Sequence, residues 1–403
     1  MKLEKQTQKT KPHVVFMGEI RFPFGLAAVQ RLTLMSRAFL HEGCRVTVIC
    51  RKGSWGHDEH KNFEYKGNFE GIDYIYTSKD VYRPNGFLNR NIQKLKGIIG
   101  EFKYLRELKK NDRIDLAIVP NREVIHALRY VLFSYFHKIP TATNFVEMAS
   151  SMEHRTGFFQ RINDRLIDNW VIKQYSGALP ISDRLMHHYK LKSPSKPCLK
   201  LPILCDFEKF NKPKSTVEKP YFLYCGSIRY REVFNFIIES YKSLKIDEST
   251  KLYMIVSGGT KEETARLEDE INNVFSTQPI KLFTNIPYEK LVYLYTNAIA
   301  LLIPLRPTIQ DTSRFPHKIG EYLASGNPII TTGVGEIMNY FDDGKTALVA
   351  EKYDVVSFAE KMKYVIDNPE MSIEIGLKGK ELGLREFDYK AHGKRMLSFL
   401  NSL

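Results

Sequence analysis

DTSRFPHKIGEYLASGNPIITTGVGE, residues 311–336, contains both elements from which a parallel α/β sheet is built. Pro316–Ala324 predicts a helix, because proline suits a first turn, where its missing N–H would have no helical partner anyway. Gly326 is a typical residue to end that helix. Pro328–Thr332 is then an apolar, β-branched run that predicts a buried strand. A helix that leads directly into such a strand indicates a βαβ unit and a parallel sheet.

The same alternation of strands and helices continues on both sides of this segment. Further strands are predicted at residues 13–17, 46–50, 74–76, 116–119, 141–145, 221–225, 252–256, 280–283 and 298–303. Two successive βα arrays of similar size predict an α/β protein with two Rossmann-like domains. We expect residues 1–200 to form the first domain and residues 201–385 the second, with a Lys-, Pro- and Ser-rich linker near 192–220. Residues 386–403 are expected to form a C-terminal helix that can pack back on the first domain.

Composition excludes several classes of protein. The 403 residues are 43% hydrophobic and 26% charged, which is typical of a globular chain. The five cysteines are scattered and form no C-x-x-C pair, which argues against a disulfide framework or a zinc knuckle. The N-terminal MKLEKQTQKTKP lacks the apolar core of a signal peptide, and no apolar run approaches the ~20 residues of a membrane span. We therefore expect a cytoplasmic protein.

Positive charge is concentrated in the first half of the chain. Residues 1–210 contain 35 Lys and Arg against 21 Asp and Glu, whereas residues 211–403 contain 25 of each kind. This asymmetry indicates that the first domain faces something anionic. The sequence lacks zinc-finger spacing, an RNP-type aromatic box and a recognisable helix-turn-helix, so no nucleic-acid partner is expected.

Part of this charge lies in residues 88–111, which have helical periodicity. Apolar residues recur along one stripe, at Ile92, Leu95, Ile99, Phe102, Leu105 and Leu108, among several lysines and arginines. One interpretation is a helix that lies against an anionic bilayer. The other is a surface helix whose stripe packs on the sheet. The charge of the whole domain favours an anionic membrane surface as a partner.

Residues 314–321 have the chemistry of an anion site. The predicted helix start places the backbone N–H groups of His317 and Lys318 at a helix N-terminus, which attracts anions. The Lys318 ammonium adds a full positive charge, and Arg314 lies just upstream. Glu321 follows three residues after Lys318, and its carboxylate can accept hydrogen bonds from sugar hydroxyls. The alternative is that Lys318 and Glu321 form only a solvated surface pair.

The FPHKIGEYLASGNPII segment resembles the donor-site signature of family-4 retaining glycosyltransferases of the GT-B fold, of the type that builds bacterial cell-surface polysaccharides. The resemblance continues in the family's order along nearly the whole chain. It includes FPFGLAAVQR with LHEGCRVTVI, LPISDRLMHHYK with LPILCDFEKF, FLYCGSIRYRE, and IKLFTNIPYEKLVYLYTNAIALLIP. The resemblance implies two Rossmann-like domains that face each other across a cleft. It also implies a nucleotide-sugar donor, with UDP-sugars favoured and GDP-mannose as a second candidate.

The resemblance also assigns roles to residues of the donor domain. Glu321 matches the glutamate that holds the nucleotide ribose, but Ser313 stands where the family often has another glutamate. Ser227 and Glu232 replace the basic pair that binds the donor diphosphate, and either Arg229 or Arg231 is close enough to substitute. The full set of donor-binding candidates is Gly25, Arg229, Arg231, Ser257, Gly258, Arg314, Phe315, His317, Lys318 and Glu321. Lys318 is also a catalytic candidate.

Two candidates in the first half of the chain follow predicted strands. Gly25 lies in a strand–loop–helix connection, where it either lets the backbone approach a phosphate or acceptor or serves as an ordinary turn glycine. Glu147 follows the predicted strand 141–145 and is a catalytic candidate that can orient or deprotonate an acceptor hydroxyl. A carboxylate without a catalytic role is equally consistent with that position.

The sequence therefore predicts a retaining glycosyltransferase. The donor would be a nucleotide sugar, and the acceptor a lipid-linked glycan or glycolipid at the inner face of the cell membrane. No D-x-D motif occurs in a candidate donor loop, so neither a metal nor another cofactor is expected, and basic residues would stabilise the leaving diphosphate. The alternative is a non-catalytic GT-B protein that binds or scaffolds a partner transferase.

Overall fold

The computed structural model describes residues 11–25, 27–57, 64–111, 113–120, 123–153, 155–211, 219–244, 250–274 and 280–403. The chain divides into two compact units, Met1–Pro202 with Tyr389–Leu403, and Ile203–Asp388. Most of the polar N-terminal segment and residues 212–218 of the expected linker lie outside the described residues. The predicted α/β fold class is confirmed, because each unit is a largely parallel sheet covered by helices.

The first unit is built on a seven-stranded sheet in the order β3-β4-β2-β1-β5-β6-β7. Its strands are β1 (His13–Gly18), β2 (Arg45–Cys50), β3 (Lys66–Phe69), β4 (Ile72–Tyr76), β5 (Leu116–Pro120), β6 (Thr141–Phe145) and β7 (Gly177–Pro180). Its helices are α1 (Ala27–His41), α2 (Phe87–Asn111), α3 (Val124–Phe136), α4 (Phe158–Asn169), α5 (Asp183–Lys192) and the C-terminal helix Gly393–Asn401. Every strand pair is parallel except β3 with β4.

The second unit is built on a six-stranded parallel sheet in the order β10-β9-β8-β11-β12-β13. Its strands are β8 (Tyr221–Ser227), β9 (Lys251–Ser257), β10 (Ile280–Thr284), β11 (Ala300–Ile303), β12 (Ile329–Thr332) and β13 (Leu348–Ala350). Its helices are α6 (Arg231–Ser243), α7 (Lys261–Val274), α8 (Tyr288–Asn297), α9 (Ile309–Ser313), α10 (Lys318–Ser325), α11 (Ile337–Tyr340), α12 (Val355–Asp367) and α13 (Pro369–Phe387). No described helix is both long and apolar enough to cross a bilayer.

The central strands of both sheets are buried along their whole length. Every residue of β1, β11 and β12 is buried, as expected for parallel strands that are covered on both faces. Continuous apolar runs therefore predicted these strands more reliably than the short strands at the sheet edges. Each unit encloses its own hydrophobic cluster between sheet and helices.

Helix α2 packs through a face of small and polar residues. A Cβ at Gly97 would lie 1.9 Å from the carbonyl oxygen of Arg51, and one at Gly100 would lie 2.4 Å from that of Thr77. The two glycines therefore let the helix backbone rest directly on the chain that leaves β2 and β4. Glu101 and Leu105 are buried on the same side of the helix.

This packing divides the apolar stripe predicted for α2. Leu105 is buried in the core, with Phe102 and Leu108 packed against it, as the second interpretation of the stripe required. Ile92, Leu95 and Ile99 are instead 43%, 59% and 62% exposed. The N-terminal half of the stripe therefore faces solvent.

Replacing Gly97 by alanine is expected to destabilise the first unit by about 2 kcal/mol or more, because the added methyl group meets a main-chain oxygen that cannot move aside. This cost exceeds the ~1 kcal/mol by which alanine favours a helix over glycine. Urea unfolding measures the effect. The matched control is Gly157→Ala, where a Cβ would meet no atom closer than 3.7 Å. Equal unfolding midpoints for the two variants would contradict this account of the packing.

Candidate functional site

The carboxyl ends of β8 and β9 carry two loops that contact each other. The Ile228 amide donates to the Ser257 carbonyl at 3.0 Å, and the Ser257 hydroxyl donates to the Gly226 carbonyl at 3.2 Å. Gly258 follows at φ +74°, a conformation that glycine adopts without strain. Parallel strands end at one edge of a sheet, so these loops join those that follow β11 and β12.

The N-terminus of α10 lies at this same edge. The helix begins at Lys318, two residues after the predicted start at Pro316. The amides of Ile319 and Gly320 donate to the carbonyls of Pro316 and His317, both at 3.1 Å, which forms a tight first turn. His317 is the N-cap residue, and no described acceptor takes the Lys318 amide. A positive side chain and a free amide therefore occur together at the positive end of a helix.

Helix α10 is held rigidly against β8 and the segment that follows the unit boundary. The Tyr322 hydroxyl accepts a hydrogen bond of 3.0 Å from the Cys225 amide at the end of β8. A Cβ at Gly320 would lie 2.9 Å from the Cβ of Cys205, so the helix touches this segment through a glycine. Gly326 ends the helix in the left-handed conformation at φ +75°, as the sequence predicted.

The Glu321 carboxyl is perturbed by its surroundings. Burial raises its pKa from 4.5 to about 7, against the opposing charges of Lys318 and Lys209. The negative charge of Glu321 also raises the pKa values of Tyr288 and Cys205, although burial is the larger cause in both residues. The carboxyl thus lies in a partly desolvated position, where hydroxyl donors from a ligand would favour its ionised form.

A buried ionic network lies under the loop between β11 and α10. Asp311 is 1% exposed and accepts hydrogen bonds from the Arg306 amide at 2.9 Å and the Arg306 Nε at 3.0 Å. Its other oxygen lies 2.6 Å from an Arg314 guanidinium nitrogen. The Arg314 guanidinium also donates to the Tyr230 hydroxyl and lies over the Tyr230 ring at 4.7 Å. Arg314, predicted to bind the donor, is therefore already engaged by Asp311 and Tyr230.

Neither Arg306 nor Asp311 was among the residues predicted for the site. Arg306 Nη1 lies 3.1 Å from Glu232, the residue that stands where the resembled family has a lysine. An arginine from a different strand end therefore meets the Glu232 carboxylate. The position of Arg306, directly after the apolar run that contains β11, could have identified it as a site residue from the sequence. Residues that follow a parallel strand lie at the edge of the sheet where ligands bind.

The two arginines predicted to replace the family's basic pair differ in their contacts. Arg231 is paired with Glu270 of α7. Arg229 is exposed, and its backbone amide lies 3.5 Å from the Ser227 hydroxyl. Among the described residues, neither Arg229 nor Lys318 forms an ion pair. Among the described residues at this edge, Arg229 and Lys318 are therefore cations without an ion-pair partner, although the Lys318 charge acts on the Glu321 carboxyl.

Phe315 is placed differently from its prediction as a donor-binding residue. Its side chain is 2% exposed and stacks on the Tyr340 ring at 5.4 Å, with Phe387 at 5.5 Å. Phe315 therefore fixes the chain entering α10 from within the core, and its ring cannot contact a ligand.

The two candidates in the first unit lie at helix and strand ends. Gly25 lies two residues before the start of α1, where a Cβ would lie 2.5 Å from the Val29 side chain, so the absence of a side chain has a packing reason there. Glu147 lies two residues after β6 and is partly buried. The described part of the chain has no group of three His, Cys, Asp or Glu side chains that could hold a metal ion.

The raised pKa of Glu321 predicts a pH-dependent gain in stability for Glu321→Gln. Because the folded-state pKa of about 7 lies above the ordinary value of 4.5, ionisation of this carboxyl opposes folding. The penalty is absent below pH 4.5, grows as the pH rises to 7, and is constant above that range. Melting curves should show the variant gaining most at about pH 8 and least at about pH 4.5.

Glu374→Gln, at a side chain on α13 that is 59% exposed, controls for the change of carboxylate to amide. A melting-temperature difference for Glu321→Gln that was equal at both pH values would contradict the assignment.

Comparisons with known proteins identify a family model that matches the second unit. Residues 206–382 match the family model described as Glycosyl transferases group 1. A trehalose synthase of Pyrococcus horikoshii is 35% identical over 85 residues, which make up 21% of this chain and 20% of that protein.

Solved structures extend the likeness to the first unit. Sucrose-phosphate synthase of Thermosynechococcus elongatus superposes with a TM-score of 0.73 at 13% identity, covering 97% of this chain and 98% of that one. Anabaena HepE, solved in complex with UDP and glucose, gives 0.70 at 10% identity, with 97% and 100% covered. Identities this low show the fold alone. The chain thus has the GT-B fold along nearly its whole length, and residues 206–382 match the model of group 1 glycosyl transferases.

Proposed function

We propose that this protein is a retaining glycosyltransferase, of the family-4 type that its motifs resemble. It transfers a sugar from a nucleoside-diphosphate donor to a lipid-linked glycan or glycolipid in cell-surface polysaccharide synthesis. One observation carries the proposal. The Lys318 ammonium and the free backbone amide of the same residue both lie at the N-terminus of α10, within the region that matches group 1 glycosyl transferases. UDP-sugars are the favoured donors and GDP-mannose is the second candidate, and HepE, which shares the fold, was solved with UDP and glucose.

Lys318 acts on the charge that develops during transfer. As the glycosidic bond of the donor breaks, negative charge accumulates on the leaving diphosphate. A fixed ammonium and a helix N-terminus directed at that charge stabilise the transition state more than the ground state. Arg229, the second unpaired cation at this edge, completes the diphosphate site in place of the family's arginine and lysine. Basic side chains therefore do the work for which other transferases use a metal.

Glu321 accepts hydrogen bonds from the ribose hydroxyls of the nucleotide. Its pKa of about 7 leaves a mixture of protonated and ionised carboxyl at neutral pH before the nucleotide binds. Hydroxyl donors favour the ionised form, so nucleotide binding would draw the carboxyl toward the carboxylate. Ser257 and Gly258 line the same site through their backbone.

The acceptor hydroxyl attacks from the face that the leaving group occupies, and the departing phosphate accepts the acceptor's proton. On this route retention needs no nucleophile from the protein. Glu147, which follows β6 of the first unit, orients the acceptor hydroxyl for this attack. The excess of positive charge in residues 1–210 suits an acceptor carried by an anionic membrane.

Calorimetry with UDP, GDP and their sugars tests the donor site first. Lys318→Ala should weaken binding of the preferred nucleotide sugar about tenfold or more, because a charge-assisted contact with phosphate is lost. Lys378→Ala, at an exposed lysine of α13, is the matched control and should bind as the wild type does. Failure of the folded wild type to bind any nucleotide sugar would contradict the proposed function.

The alternative, a non-catalytic protein that scaffolds a partner transferase, is distinguished by turnover. Complementation of a strain that lacks the gene reports whether cell-surface glycan is made. Glycan output that was unchanged by both Lys318→Ala and Glu321→Ala would favour the scaffold. Loss of output in both variants, with melting temperatures no lower than that of the wild type, would favour the transferase.

Glu232→Gln is expected to strengthen nucleotide-sugar binding severalfold. The Glu232 carboxylate pairs with Arg306 at 3.1 Å and adds negative charge at the edge where the diphosphate would bind. The amide removes that charge and releases part of the Arg306 guanidinium, which Asp311 still holds. Calorimetry in low and high salt checks the electrostatic origin, because the gain should shrink as salt rises. Weaker binding by Glu232→Gln would show that the Glu232–Arg306 pair supports the site.

A further inference from the structure

Helix α4 in the first unit has both of its aspartates inside and four of its five apolar residues outside. Asp164 and Asp168 are 1% and 0% exposed, whereas Phe158 and Phe159 are 73% and 84% exposed. Ile162 and Leu166 continue the exposed apolar side at 43% and 42%. A water-soluble helix normally shows the opposite distribution.

The buried carboxylates of α4 have structural partners. Asp164 is held by Arg155 with nitrogen–oxygen distances of 2.7 and 2.6 Å. Asp168 accepts hydrogen bonds from the amides of Ala149 and Ser150 at 3.1 and 2.8 Å. Both acids of the helix are therefore turned inward, where Asp164 has an ionic partner and Asp168 is held by backbone amides. The basic residues Arg161 and Arg165 are exposed, so the outer side of α4 is apolar and positively charged.

Helix α3 extends this surface. Its Val124 amide donates to the Asn163 side chain of α4 at 3.0 Å, which fixes the two helices side by side. The connections β5–α3–β6 and β6–α4–β7 step in the same direction across the sheet, so right-handed crossovers place both helices on one face. The outward residues of α3 are again large and apolar, with Ile125, Leu132, Tyr135 and Phe136 between 55% and 79% exposed.

Helix α2 lies beside α3 on the same face. Phe102 of α2 packs on Phe133 of α3 with ring centroids 4.7 Å apart. Leu95 and Ile99 are exposed on α2, as described above. The helix carries seven Lys and Arg against two glutamates, and one of these, Glu101, is buried.

We propose that the outer sides of α3, α4 and the N-terminal half of α2 form a docking surface for an anionic lipid bilayer. Exposed aromatic rings and leucines would enter the boundary between headgroups and acyl chains, and the surrounding arginines and lysines would meet the phosphates. The inward orientation of both α4 acids supports a lipid surface over a protein partner, because it removes every negative side chain of that helix from the bilayer. The proposal rests on the proposed function in one respect, because an enzyme with a lipid-linked acceptor meets that acceptor at a membrane.

The experiment is sedimentation of the full chain with vesicles, in the absence of any sugar donor. Vesicles of phosphatidylcholine alone are compared with vesicles that contain about 30% phosphatidylglycerol. Wild-type protein should bind the anionic vesicles about tenfold or more tightly than the neutral ones, and high salt should weaken that binding.

Phe158→Ser/Phe159→Ser should lower the affinity for anionic vesicles about tenfold or more, because two rings no longer enter the bilayer. Its matched control is Met371→Ser/Ile373→Ser on α13 of the second unit, where the side chains are 48% and 50% exposed. Arg161→Glu/Arg165→Glu should abolish the preference for anionic lipid. Its control, Lys378→Glu/Arg385→Glu, reverses two exposed charges on α13.

Equal vesicle binding by the wild type and both α4 variants would overturn the proposal. So would gel filtration showing a wild-type dimer that Phe158→Ser/Phe159→Ser converts to a monomer, with no vesicle binding by either, because a second copy would then cover this surface. All four variants change exposed side chains, so unchanged melting curves establish that they fold. Vesicle binding that persists in a protein unable to bind nucleotide sugars would support the surface and contradict the proposed function.

Discussion

Two contacts fix α10 against the rest of the second unit, and the geometry of the candidate site depends on them. The Tyr322 hydroxyl binds the amide of Cys225 at the end of β8, and Gly320 lets the helix touch Cys205. Lys318 and Glu321 are carried on the same two turns of helix, so their positions relative to the strand ends follow from these contacts. If this edge binds a diphosphate as we propose, a helix held in this way needs little rearrangement to meet it.

Three arginines at the carboxyl edge of the second sheet are paired with carboxylates. Asp311 holds Arg306 and Arg314, Arg306 also meets Glu232, and Glu270 holds Arg231. Among the described residues at this edge, Lys318 and Arg229 have no ion-pair partner, and they are the cations that we propose to bind the diphosphate. The buried network thus performs a supporting role, since it fixes the loop before α10 without competing for the ligand.

The sequence predicted the central strands of both sheets well and several strands at or near the sheet edges poorly. Buried strands such as β8 and β12 are continuous apolar runs, and Gly326 marked the end of α10 because only a glycine adopts that conformation without strain. The antiparallel strand β3 and the strands β7 and β13 were missed, since each is only three or four residues long and too short to show a strand pattern in the sequence. The roles of Phe315 and Arg306 depended on long-range contacts with Phe387 and Glu232, which spacing along the chain does not encode.

Spacing along the chain also fails to show which side of a helix is buried. For this reason the sequence suggested membrane binding by α2, whereas the structure gives stronger support for membrane binding by α4. A stripe of apolar residues in sequence does not show which side of a helix packs on the sheet, and on α2 the packing side is defined by Gly97 and Gly100. On α4 the buried side carries two aspartates whose partners are Arg155 and backbone amides. Leaving Phe158 and Phe159 in water forgoes roughly 2 kcal/mol of burial free energy for each ring. Folding of the first unit alone does not supply this burial free energy, because both rings stay exposed. Insertion of the rings into a bilayer would supply it.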